Sequence, residues 1–175
     1  MANGFPADEL IPLECKGRIF KTRGAMDDIL GNFSLMVVDS LDTLAVMGEW
    51  DEFISGVEHV INDLNFTKSG VVSVFETNIR MLGGLLSIHL LILDKIEHLG
   101  TFGKSYKNQV LDIAIELGDR MLPAFDTPTG IPCARVTLGR GPAATLTKSP
   151  RRRRGHSYWR WGSSASFLGT LCTKM

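Results

Sequence analysis

A carboxyl and a guanidinium group lie four residues apart inside an apolar run, VSVFETNIRMLGGLLS, at residues 71–86. In an α-helix this spacing places Glu76 and Arg80 on one face. A carboxyl in a low-dielectric cavity has a raised pKa and can act as a general acid, while a nearby arginine can hold hydroxyl groups or a developing charge. The alternative is an exposed ion pair near a helix N-terminus, worth at most about 1 kcal/mol. Since the flanking residues are apolar, we predict an interior helix whose charged residues serve function.

Two further acids, Asp39 and Asp42, lie three residues apart in VVDSLDTLAVMG, so a helix would carry both on one face. The rest of that helix is apolar and typical of a core element. One interpretation is a polar flank in which Ser40 and Asp42 form local hydrogen bonds with the backbone. The functional interpretation is that these acids line the cavity that Glu76 faces. The sequence leaves both open.

Other polar motifs carry weaker signals. GRG at 139–141 and RRRRGHSYWRW at 151–161 could contact phosphates and bases, but no nucleic-acid-binding fold surrounds them, so no nucleic-acid partner is expected. His89 and His98 lack the spacing of metal ligands. Asn32 in NFS and Asn65 in NFT are glycosylation sequons, which matter only in a secretory lumen.

The elements that position these side chains are predicted from hydrophobic periodicity. Apolar residues recur every three or four positions in four segments, which predicts helices at Asp28–Gly48, Trp50–Leu64, about Glu76–Leu93 and about Ser105–Leu122. The third helix is apolar on nearly every side, so it should be buried; its stripe is Ile79, Leu82, Leu86 and Leu90. The fourth should expose its acids, Asp112, Glu116 and Asp119.

The connections complete the fold prediction. Residues 71–75 are β-branched and aromatic, which favours an extended segment, and the proline-rich PAFDTPTGIPCARV predicts a turn leading to a short strand. Short connections predict antiparallel helix pairs, with the first and third helices inside and the second and fourth outside. The predicted fold is all-α, a partial α/α barrel with an irregular tail.

Composition separates a body from a tail. The 175 residues are 44% hydrophobic and 22% charged, which is typical of a globular domain. The formal net charge of zero hides a basic tail at 137–175, which has eight Lys or Arg residues and no Asp or Glu. Cys15, Cys133 and Cys172 fit neither a metal-binding spacing nor an even disulfide framework, so the pairing of Cys15 stays open. The opening residues lack a secretory signal pattern, so in a secretory protein we expect the start to lie upstream.

Four motifs occur in order: FPADELIPLECKGR, LMVVDSLDTLAVMG, FETNIRMLGGLLS and LGDRMLPAFDTPTGIPCARV. Together they resemble glycoside hydrolase family 47, the class I α-1,2-mannosidases, and within it the endoplasmic reticulum (ER) degradation-enhancing α-mannosidase-like branch. The resemblance covers roughly residues 3–136. We therefore predict that 1–136 is the N-terminal part of the family's barrel domain and that 137–175 is sequence foreign to the family.

The resemblance implies an α/α barrel that removes terminal α-1,2-mannose from N-glycans with inversion. Its setting would be the ER lumen or membrane, where misfolded glycoproteins are trimmed before degradation, with an oxidoreductase or chaperone as a further partner. Glu76 matches the catalytic acid and Arg80 an arginine that contacts sugar. Asp42 matches the acid of the SLDT motif; we count it with Arg80 as a candidate substrate-binding residue, and the individual roles of Asp39 and Asp42 stay open. The resemblance also implies a calcium ion, but its ligand-bearing segment has no counterpart here, so no metal ligand is predicted in this chain.

Inverting hydrolysis needs a second carboxylate about 6.5–9.5 Å from the first. The family motifs that would supply it have no counterpart in this sequence, and after Val136 the helical period stops. We therefore expect a truncated barrel with a frame-shifted or mis-spliced end, inactive alone and prone to aggregation. The alternative function is a non-catalytic module that binds glycans or protein partners.

Overall fold

Helices account for most of the described chain. The computed structural model describes residues 5–18, 27–68, 70–128 and 131–139. Residues 140–175, which hold nearly all of the predicted basic tail, its arginine motif and Cys172, lie outside the described residues. In chain order the elements are β1 Leu10–Ile11, β2 Lys16–Gly17, α1 Asp27–Leu30, α2 Leu35–Met47, α3 Trp50–Asp63, a 3₁₀ turn Phe66–Lys68, β3 Val71–Ser73, α4 Val74–Glu76, a π-helix Thr77–Leu82, α5 Gly83–Asp94, α6 Gly100–Ser105, α7 Gln109–Met121, a 3₁₀ turn Leu122–Phe125 and β4 Arg135–Thr137.

The long helices pack in the predicted alternation. Helix α2 contacts both α3 and α5, α5 contacts α7, and α3 contacts α7. From Gly83 to Ile92 every residue of α5 except Leu90 is buried or half-buried, whereas α7 is amphipathic and exposes its acids, as predicted. The result is a layer of inner helices, α2 and α5, covered by the outer helices α3 and α7. The predicted partial α/α barrel is confirmed in this part of the chain.

The first predicted helix is wrong in one respect, because it is interrupted between Leu30 and Leu35. The backbone there adopts positive φ at Gly31, Asn32 and Ser34. Asp8, which is 7% exposed, accepts hydrogen bonds from the backbone N–H groups of Asn32 at 2.7 Å, Phe33 at 2.9 Å and Leu35 at 3.2 Å. These distant contacts satisfy the amides that a continuous helix would have used. The predicted end is confirmed, since Gly48 closes α2 at φ 81°.

The third and fourth predicted helices also differ in detail. Residues Thr77–Leu82 form a π-helix rather than α-helix, and Leu90 on the predicted buried stripe is 40% exposed. The fourth helix begins at Gln109, because Asn108 has φ 64° and the preceding residues belong to α6 and a turn. Tyr106, predicted on its core stripe, lies in that turn instead.

Two short strands join the ends of the second helical pair. Strand β3 pairs antiparallel with β4, so that Val72 lies opposite Val136. Leu138 is fully buried, its N–H donates to the Gly70 carbonyl at 3.4 Å, and its own carbonyl accepts from Arg120 Nη1 at 2.8 Å. The packed structure thus includes Leu138, and the division between family and foreign sequence beyond it stays a prediction.

Gly84 sets the distance between the two inner helices. A Cβ atom at Gly84 would lie 2.7 Å from Cγ1 of Val38 on α2, a stiff and buried side chain. We expect Gly84→Ala to lower the free energy of unfolding by about 1–2 kcal/mol, since overpacking outweighs the gain in helix propensity. Gly118→Ala is the matched control, because nothing lies within 4 Å of its Cβ position. It should raise stability by about 0.5–1 kcal/mol. Urea unfolding measures both, and a stabilised Gly84→Ala protein would contradict the close crossing.

His89 joins α5 to the turn before α7. Its side chain is fully buried and its Nδ1 lies 2.9 Å from the Tyr106 hydroxyl, while Nε2 has no hydrogen-bond partner among the described residues. Burial lowers the pKa of His89 below its ordinary 6.5, although the charge of Asp112 opposes the shift. Burial also raises the pKa of Tyr106 to about 12, so its hydroxyl stays protonated. The pair is therefore stable as a neutral unit.

The lowered pKa predicts loss of stability in mild acid. Below pH 6.5 the unfolded chain binds a proton at His89 that the folded chain resists, so stability should fall with pH by up to about 1.4 kcal/mol per unit until the folded pKa is reached. We expect His89→Gln, which cannot titrate, to flatten this slope in urea unfolding between pH 6.5 and 5. His98→Gln, at an exposed residue stacked on Trp50, should keep it. Identical slopes in wild type and His89→Gln would contradict the assignment.

Several large apolar side chains remain on the surface of this part of the chain. Val46, Met47, Leu93 and Leu122 are 48–83% exposed. Such residues favour self-association, and the expected aggregation stays a prediction. Among the described residues, no helix is long and apolar enough to cross a membrane.

Candidate functional site

A cavity of about 380 Å³ lies where α2 crosses the π-helix and α5. This volume is within the range of about 300–1,000 Å³ that is typical of small-molecule sites. The described residues that line it come from both inner helices: Val38, Asp39, Asp42, Ile79, Arg80, Gly83, Gly84 and Ser87. Three of the eight carry charge, so the cavity suits a polar ligand.

Arg80 is held from across the helix crossing by Asp39. Its Nε donates to Oδ2 of Asp39 at 2.8 Å, and Nη2 donates to the same oxygen. About a third of each side chain is exposed. The alternative interpretation of the Glu76 and Arg80 spacing, an exposed ion pair between the two, is not what the structure shows, because Arg80 pairs with an acid 41 residues away.

Asp39 and Asp42 both line the cavity, as the functional interpretation of their spacing requires, but Glu76, which was expected to face the same cavity, is not among its lining residues. Ser40 fits the alternative interpretation, a polar flank with local backbone hydrogen bonds. Its hydroxyl donates to the carbonyls of Met36 at 2.8 Å and Val37 at 3.0 Å. Asp42 makes a weak local contact, accepting from the Thr43 hydroxyl at 3.4 Å. The polar flank and the cavity wall are thus built by neighbouring residues of one helix.

Glu76 lies at the end of α4, directly before the π-helix. Ser73 caps this helix by accepting from the backbone N–H of Glu76 at 3.5 Å. The side chain is half-buried and is not among the cavity-lining residues. Within the described part of the chain its carboxylate makes no hydrogen bond or ion pair, so it is available for a proton-transfer role.

The π-helix places polar groups in an otherwise apolar interior. The Gly83 N–H donates to the carbonyl of Asn78, five residues earlier. Thr77 Oγ1 and Asn78 Oδ1 are buried and have no hydrogen-bond partner within the described residues. Unpaired buried groups are costly, and π-helical turns occur frequently at functional sites. This segment is therefore the least regular part of the inner layer, next to the cavity.

The chemistry that this cavity offers is recognition of hydroxyl groups. Carboxylates accept hydrogen bonds from hydroxyls, and the planar guanidinium donates several in fixed directions. An ion pair whose side chains are each about a third exposed contributes only about 0–1 kcal/mol to stability, so stability alone is a weak reason for Asp39 and Arg80. A polyhydroxylated ligand such as a sugar suits the arrangement.

The described residues do not fit a metal site. In the ranges that the structure covers, no group of three or more His, Cys, Asp or Glu side chains could hold a metal ion. His89 and His98 are packing residues, since the first contacts Tyr106 and the second stacks on Trp50.

The two glycosylation candidates lie apart from the cavity lining. Asn32 is half-buried in the turn before α2, and Asn65 is exposed after α3. Cys15 and Cys133 are both free thiols. None of these residues contributes to the candidate site.

Sequence reasoning missed the small residues of the site. Gly83, Gly84 and Ser87 line the cavity, and Gly84 lies against Val38 of α2, but none of the three carries a charge that would have marked it in the sequence. The signal was present as the GG pair within a helical pattern, which often marks close packing. The pairing of Asp39 with Arg80 was also missed, and no local spacing reveals it.

Comparison with known proteins points to the same family that the sequence motifs resemble. The sequence model of the family described as Glycosyl hydrolase family 47 matches residues 1–171. The chain is 46% identical over 141 residues to ER degradation-enhancing alpha-mannosidase-like protein 3 of Homo sapiens, covering 79% of this chain and 15% of that protein. It is 49% identical over 138 residues to Alpha-mannosidase I MNS4 of Arabidopsis thaliana, covering 79% of this chain and 20% of that protein.

A solved structure agrees with the fold. The alpha-1,2-mannosidase from Trichoderma reesei superposes with a TM-score of 0.64 and 29% sequence identity, covering 85% of this chain and 29% of that chain. The chain thus spans less than a third of the solved mannosidase and about a fifth or less of these two curated relatives.

Proposed function

This chain belongs to glycosyl hydrolase family 47, and from that premise we propose that it forms part of an α-1,2-mannosidase that trims N-glycans of misfolded glycoproteins in the ER. The observation that carries the proposal is the cavity between the inner helices, where Asp39, Asp42 and Arg80 meet. It combines the family's fold with side chains that suit sugar hydroxyls.

In this proposal Arg80 and Asp42 bind the mannose residue. Asp39 accepts from Nε and Nη2 of Arg80 and so fixes the guanidinium plane, leaving the remaining N–H groups for hydroxyls of the sugar. Asp42, on the same wall, accepts from a neighbouring hydroxyl. The binding residues therefore come from two helices, and their spacing depends on the helix crossing at Gly84.

Glu76 is proposed as the general acid. Its carboxyl would donate a proton to the glycosidic oxygen while the bond from that oxygen to C1 of mannose breaks. Inversion requires a second carboxylate, about 6.5–9.5 Å from the first, which takes a proton from the attacking water. We assign no described residue to that role and propose that it comes from another part of the family's barrel.

The setting is proposed from the relatives' names. Proteins called ER degradation-enhancing alpha-mannosidase-like support an ER location and high-mannose N-glycans of misfolded glycoproteins as ligands. An oxidoreductase or chaperone is proposed as a further partner. These assignments concern the whole protein of which such a segment forms a part.

A non-catalytic glycan-binding module is the second candidate. The observation that favours it is that Arg80, Asp39 and Asp42 line the cavity whereas Glu76 does not. In such a module the cavity binds mannose without cleavage. The two candidates differ in the role of Glu76. In the mannosidase, removal of its carboxyl slows mannose release; in the binding module, removal leaves glycan binding unchanged.

The test is release of mannose from a high-mannose N-glycan in calcium-containing buffer. Two proteins are compared, this chain and a form extended through the rest of the family's barrel. We expect mannose only from the extended form. Glycan binding without release by the extended form would favour the non-catalytic module, and neither binding nor release would refute the proposed function. Release by this chain alone would refute the need for a carboxylate outside it.

A further inference from the structure

The two sequons of this chain pack against each other through their central residues. Phe33 of NFS and Phe66 of NFT are 3% and 2% exposed, and their rings meet edge to face at 6.1 Å between centroids. Both tripeptides are therefore anchored in the core at the middle residue. The two sequons differ in the exposure and the hydrogen bonds of the asparagine before this residue and of the serine or threonine after it.

The NFS sequon is used by the fold itself. Asn32 is half-buried at φ 59°, and its backbone N–H donates to Asp8 at 2.7 Å. Ser34 is 9% exposed, and its hydroxyl donates to the Pro6 carbonyl at 2.8 Å. A bulky group attached to Asn32 would have to pass between the residues of a turn that hydrogen bonds to Asp8 and Pro6 hold closed.

The NFT sequon faces outward. Asn65 and Thr67 are both exposed, just after α3 ends at Asp63. The Thr67 hydroxyl donates to Asn65 Oδ1 at 2.5 Å, and the Thr67 N–H donates to the same oxygen at 2.8 Å. Both donors polarise the side-chain carbonyl, and in the described part of the chain Asn65 Nδ2 makes no hydrogen bond. The nitrogen is thus free to be substituted without breaking a native contact.

We propose that Asn65 is an N-glycosylation site and the preferred one of the two. The inference rests on the lumenal location in the proposed function. The donor class is an oligosaccharide linked to a polyprenyl diphosphate. A bond forms between Asn65 Nδ2 and C1 of the first sugar, the C1–oxygen bond to the diphosphate breaks, and the diphosphate leaves with the electron pair. Nδ2 loses one proton, and nothing is oxidised or reduced.

The experiment directs the full 175-residue chain into microsomes behind a cleavable signal sequence. Removal of the signal and protection from added protease report entry independently of any glycan. Mobility before and after endoglycosidase H treatment then counts the glycans on wild type, Asn65→Gln, Thr67→Ala, Thr67→Ser and Asn32→Gln. Asn62→Gln is the matched control, since Asn62 is exposed nearby but lies outside a sequon.

We expect Asn65→Gln and Thr67→Ala each to remove one glycan, Thr67→Ser and Asn62→Gln to keep it, and Asn32→Gln to have the smaller effect. Unchanged mobility of Asn65→Gln in protease-protected chain would overturn the proposal, as would a larger loss from Asn32→Gln. A protected wild-type chain without a glycan would overturn it too. Because the signal sequence is supplied, none of these results depends on mannosidase activity, so a failure here differs from a failure of mannose release.

Discussion

Replacing Glu76 with glutamine should lower kcat for mannose release by about 10²–10⁴-fold in the extended barrel, the range expected when a general acid is removed. Glutamine keeps the shape of the side chain at the end of α4 but cannot donate the proton that the leaving oxygen needs. Because Glu76 is not among the residues that line the cavity, KM should change little. Initial rates on a high-mannose N-glycan measure both constants.

An activated substrate separates acid catalysis from misfolding. An aryl mannoside with a good leaving group needs little protonation, so Glu76→Gln should lose much less activity on it than on the N-glycan. Asp119→Asn, at an exposed position on α7, is the control for removal of a carboxylate and should behave as wild type. Equal losses on both substrates would show that Glu76 has another role, and an unaffected rate would exclude it as the acid.

The second large effect is expected at Asp39, which positions Arg80. Asp39→Asn keeps the size of the side chain but removes the charge that holds Nε and Nη2 of Arg80. A guanidinium displaced by about 1 Å is enough to cost on the order of 10²-fold in activity, so we expect a loss of that size in kcat/KM. Arg80→Lys should also lose activity, because a lysine ammonium cannot reproduce the planar contact of the guanidinium group.

A double-mutant cycle tests whether Asp39 acts through Arg80. If it does, Asp39→Asn adds little to the loss already caused by Arg80→Gln, and the two effects are strongly non-additive. Circular dichroism of each variant checks that the helices persist. Fully additive effects would mean that Asp39 contacts the sugar separately, and the positioning role would then be wrong.

The helical layers could be predicted from the sequence because they depend on local periodicity. The apolar stripes of α2, α3, α5 and α7 point to the core at intervals of three and four residues, and burial follows from that. The break at Gly31–Ser34 could not be predicted in this way, since its cause is the carboxylate of Asp8 more than 20 residues earlier. The region looks helical by period, but a distant hydrogen-bond acceptor makes the turn more favourable.

The candidate site shows the same limit. Residue types and spacing pointed to Asp39, Asp42 and Arg80, and the structure brings these three to one cavity. The partner of Arg80 depends on the crossing of two helices, which no spacing within one helix contains. The role of Glu76 and that of Asp42 stay predictions that the kinetic experiments address.

The π-helix at Thr77–Leu82 has a consequence for how this helix changes in evolution. A π-helical turn holds one more residue than an α-helical turn, and each residue of an α-helix rotates the chain by about 100°. Deleting a single residue here would restore α-helix but would turn Arg80 relative to the apolar face of α5. Gap placement in an alignment of this segment therefore decides whether an arginine is assigned to the cavity or to the core, and homologous sites should be aligned by helical phase rather than by residue count.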